Sequence, residues 1–253
     1  MWISFIFEIY ITILGLVLGS FYNVVGLRVA EGQSIISPPS HCPSCGRRLT
    51  IRDLVPVFSY IFLHGRCRTC HTKISPIYPA IEAATGLLFL FSFIQAATIE
   101  EMLAGWLLSS LLMIVLVTDL SHMIIPNKIL LFFFILFSVF RSVFHATPWW
   151  DPLAGIAAGF VLLALIALIS GGGMGGGDVK LFAVMGLIIG IKLIVLGFFL
   201  STFFGALLGG LGLLTGLVKR RQPVPFVPFI TLGMLTAFFF GDQLIAAYLD
   251  LIF

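Results

Sequence analysis

Long apolar runs dominate this chain, and they constrain its fold more than any other feature. Hydrophobic residues make up 60% of the 253 residues and charged residues only 10%, whereas a soluble domain carries about 25% charged residues. A membrane-spanning helix needs roughly 20 predominantly apolar residues. The sequence therefore predicts an all-α, polytopic transmembrane protein in the lipid bilayer. We expect about eight membrane helices, at residues 3–27, 77–98, 102–120, 129–144, 153–169, 179–191, 193–218 and 228–251.

The first run is interpreted as a retained membrane helix. It extends over about 25 residues, which is longer than the apolar part of a secretory signal. Neither a basic segment before it nor an A-x-A cleavage site is present. A second expectation concerns the short sixth run, which we expect to be separated from the seventh by a break at Lys192.

The basic residues predict the orientation of these helices, because Lys and Arg are enriched in cytoplasmic loops. If the N-terminus lies outside, all but two of the 14 basic residues fall in cytoplasmic segments, at residues 28–76, 121–128, 170–180 and 219–227. The two exceptions are Arg141 and Lys192. We therefore expect a multi-pass protein whose N-terminus lies outside and whose one long polar segment, residues 28–76, faces the cytoplasm.

Four cysteines in this polar segment follow a metal-binding pattern. They form two C-x-x-C pairs separated by 21 residues: Cys42 with Cys45, and Cys67 with Cys70. Two such pairs can place four thiolates tetrahedrally around Zn²⁺, and a cytoplasmic location disfavours disulfides. A closed site of four thiolates has no open position for a substrate, so the predicted zinc ion is structural.

Asp119 and Asp178 are the predicted catalytic residues. Asp119 ends the third predicted segment and Asp178 precedes the sixth, so both lie at the cytoplasmic ends of membrane helices. Carboxylates in membrane segments cost free energy and indicate a functional site. Two adjacent carboxyl groups share a proton, so one can act as a general base on water while the other acts as a general acid. The sequence leaves open which aspartate has which role.

The surroundings of the aspartates support this interpretation but also allow a structural one. The glycine-rich stretch 171–177 lets the backbone pack closely against a helix or an extended peptide. In the structural alternative each aspartate caps a helix at the interface, and Asp178 in particular is the N-cap of a helix that starts at Val179. Glu82 shares the predicted depth of the aspartates and can pair with a basic residue or help to position a substrate.

These residues lie in motifs that resemble those of the type IV prepilin peptidases, which belong to the GxGD class of intramembrane aspartyl proteases. The resemblance covers nearly the whole chain, and its departures, at Ala30, Ile77 and Val227, are not at the aspartate or cysteine positions. The matching stretches are Gly19-Ser20-Phe21-Tyr22-Asn23-Val24-Val25, Pro38-Pro39-Ser40-His41-Cys42-Pro43-Ser44-Cys45, Cys67-Arg68-Thr69-Cys70, Tyr78-Pro79 with Glu82, Asp119-Leu120 with Ile125-Pro126, and Gly175-Gly176-Gly177-Asp178-Val179-Lys180-Leu181.

The resemblance implies an endopeptidase of the bacterial cytoplasmic (inner) membrane. Its substrates would be prepilins or pseudopilins of pilus, secretion or competence systems, and it would remove their short basic leader at the cytoplasmic face. The family also implies N-methylation of the new N-terminus with S-adenosylmethionine, and Glu82 is the candidate residue near that second activity. The chain has no glycine-rich nucleotide-binding turn, so the methyl donor rests on the resemblance alone. The pilin system served and the oligomeric state are left open.

The predicted domains are then a first transmembrane helix (1–27), a cytoplasmic zinc-ribbon-like domain (28–76) and a transmembrane helical peptidase domain (77–253). For the cysteine segment, a thiol cluster without metal is the alternative, and the adjacent His41 and His71 are alternative ligands. No partner among nucleic acids is expected, because the net charge of +3 is small and a nucleic-acid-binding domain is usually strongly and locally basic.

Three other functional classes are alternatives to the peptidase. A proton-coupled membrane transporter would use the intramembrane carboxylates as a relay, but it predicts acids near the bilayer midplane and repeated halves, which are not apparent. A zinc-dependent membrane protease needs an open metal site, usually with H-E-x-x-H, and this motif is absent. A membrane-anchored zinc-ribbon adaptor would have no enzyme activity.

Overall fold

The structure, a computed structural model, describes residues 2–145, 148–169, 175–216 and 224–252. Glycines 171–173 and the basic residues Lys219, Arg220 and Arg221 lie outside these ranges. The described residues contain no β-strand beyond two isolated bridges. Their α-helices are α1 (Trp2–Ala30), α2 (Phe58–Phe62), α3 (Ile77–Gln95), α4 (Ile99–His122), α5 (Asn127–Val143), α6 (Asp151–Ile169), α7 (Gly176–Leu214) and α8 (Val227–Ile252).

The predicted all-α, polytopic architecture is confirmed. Among the described residues, six helices are long and apolar enough to cross a membrane, namely α1, α3, α4, α6, α7 and α8. Helix α5 is apolar but has 17 residues. The eight predicted segments fall in seven helices, because α7 has 39 residues and contains both the sixth and the seventh segment.

Helix α7 is interrupted at Gly190, so the predicted position of the break, Lys192, is wrong. Gly190 has φ 75° and ψ 176°, a conformation that glycine adopts at little cost because it has no Cβ. A side chain there would also overlap the carboxylate of Asp151. Lys192 instead forms an ion pair with Asp242 of α8, at 2.7 Å.

Side chains satisfy the backbone groups at this interruption. The Asp151 carboxylate at the start of α6 accepts a hydrogen bond from the N–H of Ile191, at 3.1 Å. Arg141, near the end of α5, donates to the carbonyl oxygen of Ile188. Irregular backbone in a membrane protein requires such partners, because lipid offers none.

The chain divides into two compact units, Met1–Val117 and Thr118–Phe253. In the first unit, α1 packs directly against α3. A Cβ on Gly15 would lie 2.8 Å from the Cα of Gly86, and a Cβ on Gly19 would lie 2.8 Å from the Cα of Glu82. These glycines therefore allow the two helix backbones to touch.

In the second unit, α6 and α7 cross through two glycines that face each other. A Cβ on Gly155 would overlap the carbonyl of Gly186, and a Cβ on Gly186 would overlap the carbonyl of Gly155. One turn away, a Cβ on Gly159 would lie 2.6 Å from the carbonyl oxygen of Phe182. Small residues permit such contact in membranes, where helix association depends on close packing rather than on a hydrophobic driving force.

Replacement of Gly155 by Ala is expected to destabilise the second unit. The added methyl group must push the α6 and α7 backbones apart, and overpacking of this kind costs about 1–3 kcal/mol. The matched control is Gly209→Ala in α7, where nothing lies within 4 Å of the added Cβ. Thermal unfolding of purified protein in detergent should show a lower Tm for Gly155→Ala alone. An unchanged Tm would contradict the close contact.

Candidate active site and metal site

Asp119 lies near the end of α4 and is bound to the start of another helix. Its side chain is buried, with the residue only 7% exposed. The Oδ2 atom accepts a hydrogen bond of 3.0 Å from the backbone N–H of Val227, the first residue of α8. Asp119 therefore provides the acceptor for a helix that begins 108 residues later in the chain.

The backbone donors at the start of α8 explain this contact. The N–H groups of Phe229 and Ile230 donate to the carbonyl of Phe226, at 3.0 and 3.1 Å, and Pro228 has no N–H. Phe226 precedes the helix but has no side-chain oxygen, so it cannot cap the helix as Ser, Thr, Asp or Asn would. The N–H of Val227 thus needs an acceptor from elsewhere, and Asp119 supplies it.

Asp178 is the third residue of α7, so the structural alternative, in which it is the N-cap of a helix starting at Val179, is wrong. The helix begins three residues earlier than Val179, with Gly175 as its N-cap. The Asp178 N–H donates to the carbonyl of Gly175 at 3.1 Å, and the Asp178 carboxylate is bonded by the Gly175 backbone in return. An acidic side chain at the third helical position can satisfy the free N–H of the cap, which extends the helix into the glycines.

The structure brings these two aspartates together within the second unit. The two side chains lie near enough for the charge of Asp119 to act on Asp178. Neighbouring contacts fix the start of α7: a Cβ on Gly177 would lie 3.0 Å from Ile125, and the Nζ of Lys180 donates to the Oδ1 of Asn127 at 3.0 Å. Two neighbouring carboxylates, each bonded to a backbone amide at a helix start, form a candidate acid–base pair.

Glu82 lies in the first unit and holds the start of α2. It is 9% exposed, and its Oε2 accepts a hydrogen bond of 2.7 Å from the N–H of Val57. Val57 has φ 62° and ψ −52°, which is unusual for a β-branched residue. Glu82 is therefore bonded to a backbone amide in a sparsely populated conformation, and also to the side chain of Ser20. The motif residue Asn23 of α1 supports the same region, since it donates to the carbonyl of Tyr78 at 3.1 Å.

The two C-x-x-C pairs fold as two copies of one turn. In the first copy, the Cys42 N–H donates to the carbonyl of the residue after Gly46, and the Gly46 N–H donates to the Cys42 carbonyl, both at 2.9 Å. In the second copy, the same bonds link Cys67 with Thr72 and His71, at 2.9 and 3.0 Å. Gly46 and His71 occupy equivalent places, with φ 68° and 56°. This repeat is not evident from the sequence.

The copies bring the four cysteine Sγ atoms within 4.8 Å of one another. The Sγ atoms of Cys42 and Cys70 are 3.7 Å apart, and a tetrahedral site with Zn–S bonds of about 2.3 Å requires about 3.8 Å between sulfurs. Hydrogen bonds with the Thr72 side chain and amide lower the pKa of the Cys70 thiol to about 6. The group contains the four cysteines and neither flanking histidine, His41 nor His71. These residues could bind a metal ion.

Asp53 links the two copies of the turn. Its carboxylate bonds Arg47, which follows the first pair, at 2.6 Å and Arg68, which lies within the second pair, at 2.9 Å. It also accepts hydrogen bonds from the N–H and hydroxyl of Thr50, at 3.0 and 2.8 Å. Burial alone raises the pKa of Asp53, but the Thr50 hydrogen bonds and the two arginine charges outweigh it, so the pKa lies below its usual value.

Three of these contacts were missed from the sequence because their donors are backbone amides: Val57, Gly175 and Val227. The sequence does contain a sign of the Val227 contact. Pro228 stands in the first turn of α8 behind an apolar residue, and a helix that starts without a capping side chain needs an acceptor from another element. The sequence could not say that Asp119 is that acceptor.

Together these features define a multi-pass helical membrane protein with a paired-carboxylate site and a cysteine cluster able to bind metal. The chain belongs to the type IV leader peptidase family. Residues 13–96 match the bacterial peptidase A24 N-terminal domain, and residues 106–210 match the type IV leader peptidase family itself. Both matches agree with the resemblance noted from the motifs.

Several relatives are similar over most of their length. The chain is 44% identical to a prepilin leader peptidase/N-methyltransferase of Bacillus subtilis, over 94% of this chain and 96% of the relative. It is 31% identical to a protein of the same name from Stutzerimonas stutzeri, over 94% and 92% of the two chains. No solved structure matches the chain. The transporter alternative receives no support from these relatives.

Proposed function

We propose that this protein is an aspartyl endopeptidase that removes the leader from prepilins or pseudopilins and methylates the new N-terminus. The observation that carries the proposal is the pair formed by Asp119 and Asp178, which are buried or half-buried, interact through their charges and are each held by a backbone amide. The names of the relatives, prepilin leader peptidase/N-methyltransferase, indicate the same substrate and both activities.

In the proposed mechanism, Asp119 and Asp178 share one proton between them. The ionised carboxylate takes a proton from a water molecule as the oxygen of that water attacks the scissile carbonyl. The protonated carboxyl group polarises this carbonyl and then gives its proton to the leaving amine. The pair titrates as a unit, and one oxygen of Asp119, Oδ2, is already occupied by the N–H of Val227.

We propose that the pair faces the cytoplasm in the inner membrane, with the N-terminus outside. The basic residues support this orientation, and the two exceptions have local partners in the second unit. Arg141 bonds the Ile188 carbonyl, and Lys192 pairs with Asp242. Arg141 and Lys192 therefore lie on helices and not in the loops whose basic residues determine orientation. The partners of this arrangement are the lipid bilayer and a membrane-inserted prepilin.

We propose that S-adenosylmethionine, when bound, supplies the methyl group for the second activity. Glu82 is the candidate residue for this region, because it is a buried carboxylate beside the polar segment 28–76. Its contact with Val57 means that it would act partly by holding α2 in place. The pilus, secretion or competence system that the protein serves is not defined by these contacts.

Each of the substitutions Asp119→Asn and Asp178→Asn is expected to reduce prepilin cleavage by about 10²–10⁴-fold, because each removes an acid–base group. Cleavage is measured with a prepilin in membranes that contain equal amounts of folded protein. Asp242→Asn is the matched control, since this aspartate also lies on a membrane helix but its side chain is 83% exposed. Normal cleavage by either of the first two variants would show that the aspartate in question is structural.

Val227→Pro is expected to lower kcat for cleavage without changing KM, by about tenfold to hundredfold, because Asp119 loses the donor that orients it. Proline is tolerated at the first helical position, so α8 should still form. Val227→Ala is the control, since it removes most of the side chain but keeps the N–H. Suppose that Val227→Pro and Val227→Ala have the same kcat while Asp119→Asn is inactive. Asp119 is then needed for cleavage, but the N–H of Val227 is not needed to orient it.

We propose that the four cysteines hold one structural Zn²⁺. Purified protein should contain about one zinc per chain, as expected for a site of four thiolates, and the content can be measured by plasma mass spectrometry. Cys42→Ser should lose the metal and unfold the segment 41–73, because metal binding and folding are coupled in such domains. Ser44→Ala, between the first two ligands, should keep the metal. Folded wild-type protein without zinc would contradict the proposal.

A further inference from the structure

The segment 51–62 of the first unit exposes more apolar surface than a cytoplasmic loop should. It contains a short 3₁₀-helix (Ile51–Asp53) and α2. Six large apolar side chains are between 42% and 85% exposed, and we call them the apolar face: Ile51, Leu54, Val55, Phe58, Ile61 and Phe62. They come from the 3₁₀-helix, from the turn that follows it and from α2. Exposed apolar groups clustered in this way mark a site of interaction.

The contact with Glu82 places the start of α2 beside the first turns of α3. Helix α3 is apolar from its first residue, Ile77, and is one of the candidate membrane spans. Glu82 lies five residues further along, which is about 7 Å at 1.5 Å per residue. Because the Glu82 carboxylate bonds the N–H of Val57, α2 begins beside this position of α3, about one and a half turns from Ile77. Amphipathic helices in a membrane interface are buried by about 5–10 Å.

Two further contacts hold α2 against the chain segment that leads to α3. The Tyr60 hydroxyl donates to the carbonyl of Ile74, at 3.5 Å. A Cβ on Gly65 would lie 2.8 Å from the Tyr60 hydroxyl oxygen, and Gly65 has φ 67°. The polar edge of α2 is thus fastened to the chain, while Phe58, Ile61 and Phe62 remain exposed.

The charges around the apolar face are complementary to an anionic lipid surface. The one acidic residue in the segment, Asp53, is already bonded by Arg47 and Arg68, and its side chain is 4% exposed. Arg48, Arg52 and Arg66 are exposed. The surface presented by this region is therefore apolar and basic, which is the combination that binds the negatively charged cytoplasmic leaflet.

We propose that the apolar face lies in the lipid headgroup region and anchors the cysteine-containing domain to the membrane surface. The occupant is phospholipid, with its acyl boundary against the apolar side chains and its anionic headgroups near the arginines. The charge argument rests on the cytoplasmic orientation proposed above, but it does not depend on the catalytic pair. The segment 28–76 is then a domain held on the bilayer rather than a free cytoplasmic domain.

The test uses full-length protein in vesicles of phosphatidylethanolamine and phosphatidylglycerol. Phe62 is replaced by the photoreactive residue p-benzoylphenylalanine, and adducts are identified by mass spectrometry after irradiation. The control places the same residue at Ser44, which is exposed between the metal ligands. Lipid adducts should be about tenfold more abundant at position 62, because interfacial side chains contact the acyl boundary. They should decrease when phosphatidylglycerol is replaced by phosphatidylcholine.

Other outcomes overturn the proposal. Adducts at position 62 with a second copy of the chain, or with added prepilin, would show that the apolar face is a protein-docking surface. Equal lipid labelling at positions 62 and 44 would show that it has no preferred contact with the membrane. A prepilin cleavage assay on the same samples separates these results from a failure of the peptidase assignment.

A pair of charge substitutions provides an independent readout. Phe62→Asp should raise amide hydrogen exchange in α2 about tenfold, because a carboxylate cannot remain in the acyl boundary and the segment opens locally. Ile36→Asp places the same charge on an exposed isoleucine outside the segment, and it should leave exchange in α2 unchanged. Equal exchange in the two variants, with metal content retained, would contradict the anchor.

Discussion

The hydrogen bond from Val227 to Asp119 satisfies a constraint on which the second unit depends: the first N–H groups of a helix need acceptors. A helix that starts inside a membrane protein has N–H groups that lipid cannot satisfy, and α8 begins without a capping side chain. Asp119 provides the acceptor for α8, and Asp178 is bonded to the Gly175 amide at the start of α7. The two carboxylates are therefore part of how the helices are placed, so the geometry of the site and the packing of the second unit are fixed together.

The first unit uses carboxylates in the same way. Glu82 holds the amide of Val57, and Asp53 holds Thr50 together with the arginines beside both C-x-x-C pairs. These hydrogen bonds and ion pairs stabilise a region whose helices are short. The five-residue α2 and the three-residue 3₁₀-helix bury little surface by themselves. A metal ion bound by the four thiols would add a third connection between the same two turns.

The sequence predicts the helices well because their apolar runs are long, and it predicts Asp119, Asp178 and the cysteines as candidates because charge and thiols are rare in such a chain. The sequence does not predict which backbone group each acidic side chain binds. The break in α7 was expected at Lys192, but Lys192 stays in the helix because it pairs with Asp242 of α8. The break lies at Gly190 instead, because its positive φ of 75° favours glycine. Asp178 was expected before its helix, but Gly176 and Gly177 in front of it are helical.

The separation of the bonded groups along the chain has a consequence for biosynthesis. The cysteine cluster closes within residues 42–70, so it can be complete before most membrane helices have left the ribosome, since chains fold from the N-terminus during synthesis. The donor to Asp119 lies at the start of the last helix, 108 residues later. A nascent chain thus contains both aspartates before Asp119 is joined to its backbone donor. Insertion of α8 is therefore the step that gives Asp119 this donor.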